Sequence, residues 1–245
     1  VSDDRDSVEY IRQGMMGSML NANGVEYTRK LQKIAVEETR LGIPLLFGYD
    51  VIHGYKTIFP VPLGESASWD MEAIEQSARV AAIEATAAGQ HWTFAPMVDI
   101  ARDARWGRIM EGAGEDPYYG TQVAKARVRG FQGDDIAKTN TLMATAKHYV
   151  AYGAAKGGRD YNTVDISQRT LHDIYLPPFK GAVDEGVATF MSSFNELNGI
   201  PVSGHEGIIR DILKKQWNYK GFIVSDWASI QEMIVHGYAA DKYEA

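Results

Sequence analysis

Two patterns alternate along the chain. Short apolar runs close on a polar residue, and between them lie longer stretches in which apolar residues return every three or four positions. The runs are Gly14–Leu20, Leu45–Asp50, Thr93–Asp99, Thr141–His148, Val187–Ser193 and Gly221–Ser225. Their length and apolar content predict strands. Gly14–Leu20 reads as a short buried strand, and Pro96 makes Thr93–Asp99 less regular because proline donates nothing to a ladder. The helical stretches are Glu26–Leu41 (apolar at Leu31, Ile34 and Ala35), Ala73–Ala88, Tyr118–Phe131, Arg169–Glu185, Gly207–Trp217 and Trp227–His236. Gly42 and Gly89 are stop signals, and Pro177-Pro178 forces a kink or break in the fourth helix.

Strands alternating with helices of this length predict βαβ units and a parallel sheet. The polar residues gather at strand ends: Asp50, Asp99, Lys147-His148, Ser192-Ser193 and Asp226. A doubly wound sheet concentrates function at one switch point and carries a glycine-rich first turn, and no G-x-G-x-x-G follows the first run. Chemistry spread over several strand ends is the pattern of a TIM-like (β/α) barrel, whose catalytic side chains collect at the carboxyl ends of the strands. About six strands do not close an eight-stranded barrel. The expectation is therefore an α/β parallel barrel, incomplete, with residues 1–245 forming a single catalytic domain cut from a longer polypeptide.

The 245 residues are 45% hydrophobic, enough for one large core. With 32 acidic against 25 basic residues the net charge is −7, which argues against nucleic acid as partner. No run of 18 apolar residues suggests a membrane span, and the opening Val-Ser-Asp-Asp-Arg-Asp is not a signal peptide. The absence of cysteine excludes disulfides and thiolate metal sites, and the histidines show no metal spacing with acids, so no metal or cofactor is expected.

Gly221-Phe-Ile-Val-Ser-Asp-Trp227 carries the strongest chemical signal. An apolar strand ends in a carboxylate, which gains nothing from burial unless paired or hydrogen-bonded. The adjacent Trp227 offers a flat apolar face suited to a sugar ring. Asp226 reads equally as a cap for the helix that follows. Asp50 could accept two sugar hydroxyls or simply bond loop amides. Arg105 and Arg108 lie in a loop rich in Gly and acids, where they order the loop through ion pairs or turn one guanidinium toward a pocket. Trp106 reads as packing. Lys147 could form an imine, as in an aldolase, or donate to hydroxyls as an ammonium; for His148 a structural role is the simpler reading. Adjacent strand residues face opposite ways, so both reach one ligand only at a frayed end. Gly153–Tyr161 lacks the phosphate-loop pattern and reads as a flexible loop over the barrel mouth.

Taken in order, nine segments resemble the N-terminal barrel domain of glycoside hydrolase family 3, in its bacterial periplasmic β-glucosidase branch. They are Gly48–Gly54, Ala95–Asp99, Arg105–Arg108, Glu111–Asp116, Ala146–His148, Ala151–Gly153, Tyr161–Asp165, Met191–Asn195 and Gly221–Asp226. The resemblance implies that Asp226 is the nucleophile of a retaining, exo-acting β-glycosidase. It also implies that Asp50, Arg108, Lys147 and His148 hold the hydroxyls of the non-reducing-end sugar, that Met191 lies against its face, and that Trp227 flanks the leaving-group subsite. Phe194 stands where some members have Tyr. Lys147-His-Tyr-Val-Ala-Tyr-Gly153 lacks the second histidine used as acid/base in the β-hexosaminidase branch.

In the β-glucosidase branch the acid/base glutamate belongs to a second α/β domain, which 245 residues do not supply. The implied partners are a β-glucoside or oligosaccharide substrate and the remaining domains of the parent polypeptide, in a periplasmic or secreted setting. Nearby Lys147 and Arg108 are expected to favour ionised Asp226. Two rival readings stay open: a class I aldolase-like barrel using Lys147, and an inactive sugar-binding fragment. Should the chain alone prove active, Asp165, Glu111 and Glu115 are the candidates for a second carboxylate.

Overall fold

Each apolar run pairs in parallel with its successor, and the stretches between them cross over as helices. The computed structural model describes residues 4–245. Val1–Asp3, part of the stretch read as no signal peptide, lie outside the described residues. In chain order the first elements are α1 (Asp4–Arg12), β1 (Ser18–Leu20), α2 (Val25–Glu37), β2 (Leu46–Tyr49), α3 (Pro62–Ser66), α4 (Met71–Ala87) and β3 (Trp92–Thr93). Then come α5 (Pro117–Gln132), β4 (Thr145–Tyr149), α6 (Gln168–Thr170), α7 (Pro177–Asp184), β5 (Thr189–Ser192), β6 (Glu196–Leu197), β7 (Ile200–Pro201), β8 (Phe222–Ser225) and α8 (Ser229–Val235). A wide helical segment, Gly207–Gln216, precedes β8.

Parallel pairing joins β1-β2-β3 and β4-β5-β8. Parallel bridges between Trp92 and Met143 and between Met97 and Lys147 connect the two halves. The result is a six-stave open barrel, with β1 and β8 as edges that find no further strand among the described residues. The third run is less regular than a strand. After Thr93 the Ala95–Pro96 peptide is cis, and β4 donates into the run from Thr145 to the Ala95 carbonyl (2.8 Å) and from Lys147 to that of Pro96 (3.2 Å).

Period-two alternation divides the staves. Ala144, Ala146 and Phe190 face outward, into a core with Ala78, Ala81, Ala82 and Ala85 of α4, Val128 and Phe131 of α5, and Phe179 of α7. Trp92, Phe94 and Met191 face inward with Met143 and Val224. Trp92 Nε1 donates to Thr145 Oγ1 (2.8 Å) and Thr189 Oγ1 (2.9 Å), satisfying its polar edge inside the barrel.

The outer helices begin where short polar side chains cap them. Asp70 accepts from the Ala73 N–H at 3.0 Å, and Asp116 accepts from Tyr119 at 2.7 Å with Pro117 at the first position of α5. The two helices approach so closely that a Cβ at Gly130 would lie 2.4 Å from the Glu75 carbonyl oxygen. A buried ion pair reinforces this layer: Arg127 donates to Glu65, and its Nη1 donates to the Ile52 carbonyl at 2.9 Å.

Two local readings change, one is borne out, and one element was not anticipated. Gly14–Leu20 is not buried: β1 covers only Ser18–Leu20 and its outer residues are exposed, because it is an edge with one neighbour. The fourth helical stretch breaks as the proline pair predicts: the Leu176 N–H reaches back to Leu171, and α7 restarts on Pro177-Pro178. A hairpin, β6-β7, turns through Asn198 and Gly199, both with positive φ, as an Asn-Gly turn requires. The glycine-rich Gly153–Tyr161 loop is anchored at two of its glycines: a Cβ at Gly153 would meet the Ile100 carbonyl oxygen at 2.4 Å, and one at Gly158 the Trp106 nitrogen at 2.8 Å. No described helix is long and apolar enough to cross a membrane.

Candidate active site

A cavity of about 330 Å³ opens at the carboxyl ends of the staves. Six of the seven residues singled out in the sequence line it: Asp50, Arg108, Lys147, Met191, Asp226 and Trp227. The barrel interior supplies its apolar wall through Trp92, Phe94 and Val224, and β1 closes one side with Met19 and Leu20. A larger, more open hollow of about 710 Å³ lies on the outer surface between α5 and α7 and contains none of these residues.

A bulge in β4 explains how neighbours on one strand serve one site. Ala146 pairs with Phe190 but Tyr149 with Ser192, so Lys147 and His148 together oppose Met191 alone. An extra residue of this kind re-aims side chains at a strand end. Lys147 is 4% exposed, and its Nζ donates to Asp50 Oδ1 at 3.1 Å, while half of the Asp50 side chain stays open to solvent. The pair presents a fixed ammonium and a carboxylate to the cavity.

His148 sits one layer deeper and is buried. Its backbone N–H donates to Asp99 Oδ2 at 2.8 Å, its Nδ1 lies 2.9 Å from the same oxygen, and its Nε2 lies 3.4 Å from Asp226 Oδ2. The imidazole thus faces the Asp226 carboxyl from behind. Asp99, which no catalytic reading of the sequence had singled out, is its support. The only sequence signal for Asp99 was a carboxylate closing an apolar run.

Asp226 is not a helix cap. Its Oδ1 accepts from the Trp227 N–H at 2.6 Å, and α8 begins at Ser229 behind Ala228 without a side-chain cap. Burial dominates its charge and holds the Asp226 carboxyl above the ordinary carboxylate range; the Trp227 N–H, Arg108 and Lys147 oppose that shift and Asp50 adds to it. The two cations favour the ionised form as expected, but desolvation outweighs them. Asp99, wholly buried, is pushed up to about 7, again chiefly by desolvation. Burial drives His148 well below its usual value, with Arg108 and Lys147 pushing the same way. A carboxyl with a raised folded pKa stabilises the fold fully only below its unfolded pKa, and that contribution is lost as pH rises through the folded value. At neutral pH an ionised Asp226 is thus held at a cost to stability.

The two arginines divide the roles left open. Arg105 pairs with Asp103 at the surface (2.7 Å), whereas Arg108 forms a two-pronged bond with Glu111 (2.7 and 2.9 Å) and lines the cavity. Trp106 is 1% exposed, packs edge-on against Tyr152 and donates to Asp160 at 2.9 Å, so it is packing. Among the described residues, Asp50 and Asp226 are the only carboxylates lining the cavity; Glu111, Glu115 and Asp165 do not.

The model of the glycosyl hydrolase family 3 N terminal domain matches residues 1–245. The chain belongs to glycosyl hydrolase family 3. It is 41% identical over 237 residues to the periplasmic beta-glucosidase of Salmonella typhimurium, covering 97% of this chain and 31% of that protein. A beta-xylosidase of Formosa agariphila is 33% identical over 234 residues, 90% of this chain and 32% of its own. The crystal structure of Listeria innocua beta-glucosidase in complex with isofagomine superposes with a TM-score of 0.91 at 42% identity, over 93% of this chain and 32% of that one. The chain spans about a third of the length of these family 3 relatives. Their common barrel domain accounts for the open α/β sheet seen here, and membership in the family removes the aldolase reading of Lys147, whose ammonium is paired with Asp50.

Proposed function

We propose that this chain is the nucleophile-bearing barrel of a retaining, exo-acting β-glycosidase of the β-glucosidase type. The observation that carries the proposal is the convergence of Asp226 with Asp50, Lys147 and Arg108 on one cavity with an aromatic wall. In this reading Asp50, Arg108 and Lys147 take the hydroxyls of the terminal sugar and His148 backs the nucleophile. Met191 lies against the sugar face, and the exposed Trp227 borders the leaving-group side.

Asp226 attacks the anomeric carbon as the bond to the leaving oxygen breaks, giving a covalent glycosyl-enzyme that water then hydrolyses with retention. A second carboxyl group, about 5–5.5 Å away in retaining enzymes, must protonate the leaving oxygen and later deprotonate the water. Asp50 is committed to Lys147, so that group is assigned to a second domain outside these 245 residues. The names of the relatives support a β-glucoside or β-xyloside as substrate and a periplasmic or secreted setting.

The test is hydrolysis by this chain alone. Turnover of a dinitrophenyl β-glucoside, whose leaving group needs no proton, is expected to be slow but measurable, with retention at the anomeric carbon. Cellobiose should be left intact. Rapid cellobiose cleavage would contradict the assignment of the acid/base to another domain, and inversion would contradict a covalent nucleophile.

The pH profile follows from burial. Attack needs ionised Asp226, whose pKa is raised. The acid limb of kcat/KM on the aryl glucoside should therefore have its midpoint above about 3.9, the value of an unperturbed aspartate. A limb at or below that value would contradict control by the buried Asp226 carboxyl.

A further inference from the structure

Three buried side chains stand in line behind the cavity: Asp99, His148 and Asp226. Asp99 and His148 side chains are each 1% exposed and that of Asp226 is 12% exposed. Asp99 Oδ2 takes both the backbone N–H of His148 and the contact with its Nδ1. Among the described residues, Asp99 Oδ1, His148 Nε2 and Asp226 Oδ2 have no hydrogen-bond partner, and the last two face each other at 3.4 Å. We propose that Asp99 is a positioning residue acting through His148, fixing the imidazole so that its Nε2 carries a proton directed at Asp226 Oδ2. This rests on the reading of Asp226 as nucleophile.

Proton placement decides between the possible arrangements. A neutral imidazole protonated on Nδ1 would turn the Nε2 lone pair toward a carboxylate oxygen, leaving two buried acceptors opposed with nothing between them. Placing the hydrogen on Nε2 removes that conflict; with the ring neutral, as burial favours, Nδ1 must then accept from Asp99, which requires Asp99 to hold a proton. A neutral Asp99 also suits its orphaned Oδ1, since an unpartnered buried carboxylate oxygen costs more than a carboxylic one. The raised pKa of Asp99 and the lowered pKa of His148 agree with this distribution. With Oδ2 buried and facing Nε2 at 3.4 Å, Oδ1, which accepts from the Trp227 N–H, is the oxygen left for the anomeric carbon. The other charged or titratable groups around Asp226 are Lys147 beside His148, Asp50 from the end of β2, Arg108 with its partner Glu111, and Tyr161.

Asp99→Asn reverses the arrangement without changing shape. The His148 backbone N–H requires an acceptor at the Oδ2 position, so the amide oxygen must sit there. Nδ1 is then forced to donate and Nε2 to lose its hydrogen. In the 245-residue chain, nitrogen NMR of the imidazole should find Nε2 protonated in the native protein and unprotonated in Asp99→Asn. The rate of inactivation by 2,4-dinitrophenyl 2-deoxy-2-fluoro-β-glucoside should fall at least about tenfold, as expected for loss of a hydrogen bond to a charged oxygen. Its acid limb should move up by about one pH unit, because the carboxylate has lost a donor.

An unprotonated Nε2 in the native protein would overturn the proposal without any variant being made. So would an Asp99→Asn protein that folds and keeps the native rate and pH limb. Label found on a carboxyl other than Asp226, with the imidazole protonated as described, would instead count against the nucleophile reading and leave the Asp99 relay standing.

Discussion

Replacing Asp226 with alanine should lower kcat/KM for an aryl β-glucoside at least about 1000-fold, or ~4 kcal/mol of transition-state stabilisation, when measured in a polypeptide that also carries the acid/base. The loss should come without unfolding. Asp226 Oδ2 is buried without a hydrogen-bond partner among the described residues, and burial raises the pKa of the group, so its ionised form weakens the fold at neutral pH. Alanine removes that cost, and the variant should melt no lower than the native protein. A group retained at the expense of stability is what a reactive centre requires. A variant that keeps more than about a thousandth of native activity would remove Asp226 from the nucleophile role.

The second large effect is structural. Glu65→Ala should destabilise the fold by about 3–5 kcal/mol in chemical denaturation, because it leaves the Arg127 guanidinium buried without its counter-charge. Arg127 is 4% exposed, and its remaining contact is the carbonyl of Ile52, two residues beyond Asp50. The pair therefore ties α5 to the segment that carries a cavity carboxylate. Replacing both partners by apolar residues of similar volume should cost far less than removing Glu65 alone, since burying the two charges already offsets most of their attraction. A loss below about 1 kcal/mol for Glu65→Ala would mean that water reaches Arg127.

Much of this was legible in the chain because two independent signals coincide. Apolar runs gave the staves, and the polar residue at the end of each run gave Asp50, Lys147 and Asp226, which one cavity then gathers. What stayed hidden depends on neighbours distant in sequence. The exposure of β1 follows from its having only β2 beside it among the described residues, and nothing within Gly14–Leu20 encodes that. Gly153 and Gly158 suggest freedom but serve close contact with Ile100 and Trp106, some fifty residues away. Asp99 sat in a recognised segment, yet its role depends on an imidazole 49 residues on. The depth of His148 depends on the β4 bulge, which no local pattern announces. The β6-β7 hairpin was not anticipated, although Asn198-Gly199 has the residue types of a tight turn.

The most direct measurement of the central claim is the site of covalent capture. The 245-residue chain, incubated with 2,4-dinitrophenyl 2-deoxy-2-fluoro-β-glucoside and digested, should carry one fluoroglucosyl group. Fragmentation of the peptide containing Gly221–Trp227 should locate it on Asp226. An adduct on Asp50, Glu111, Glu115 or Asp165, or a folded chain that releases dinitrophenol without retaining the sugar, would contradict Asp226 as the nucleophile.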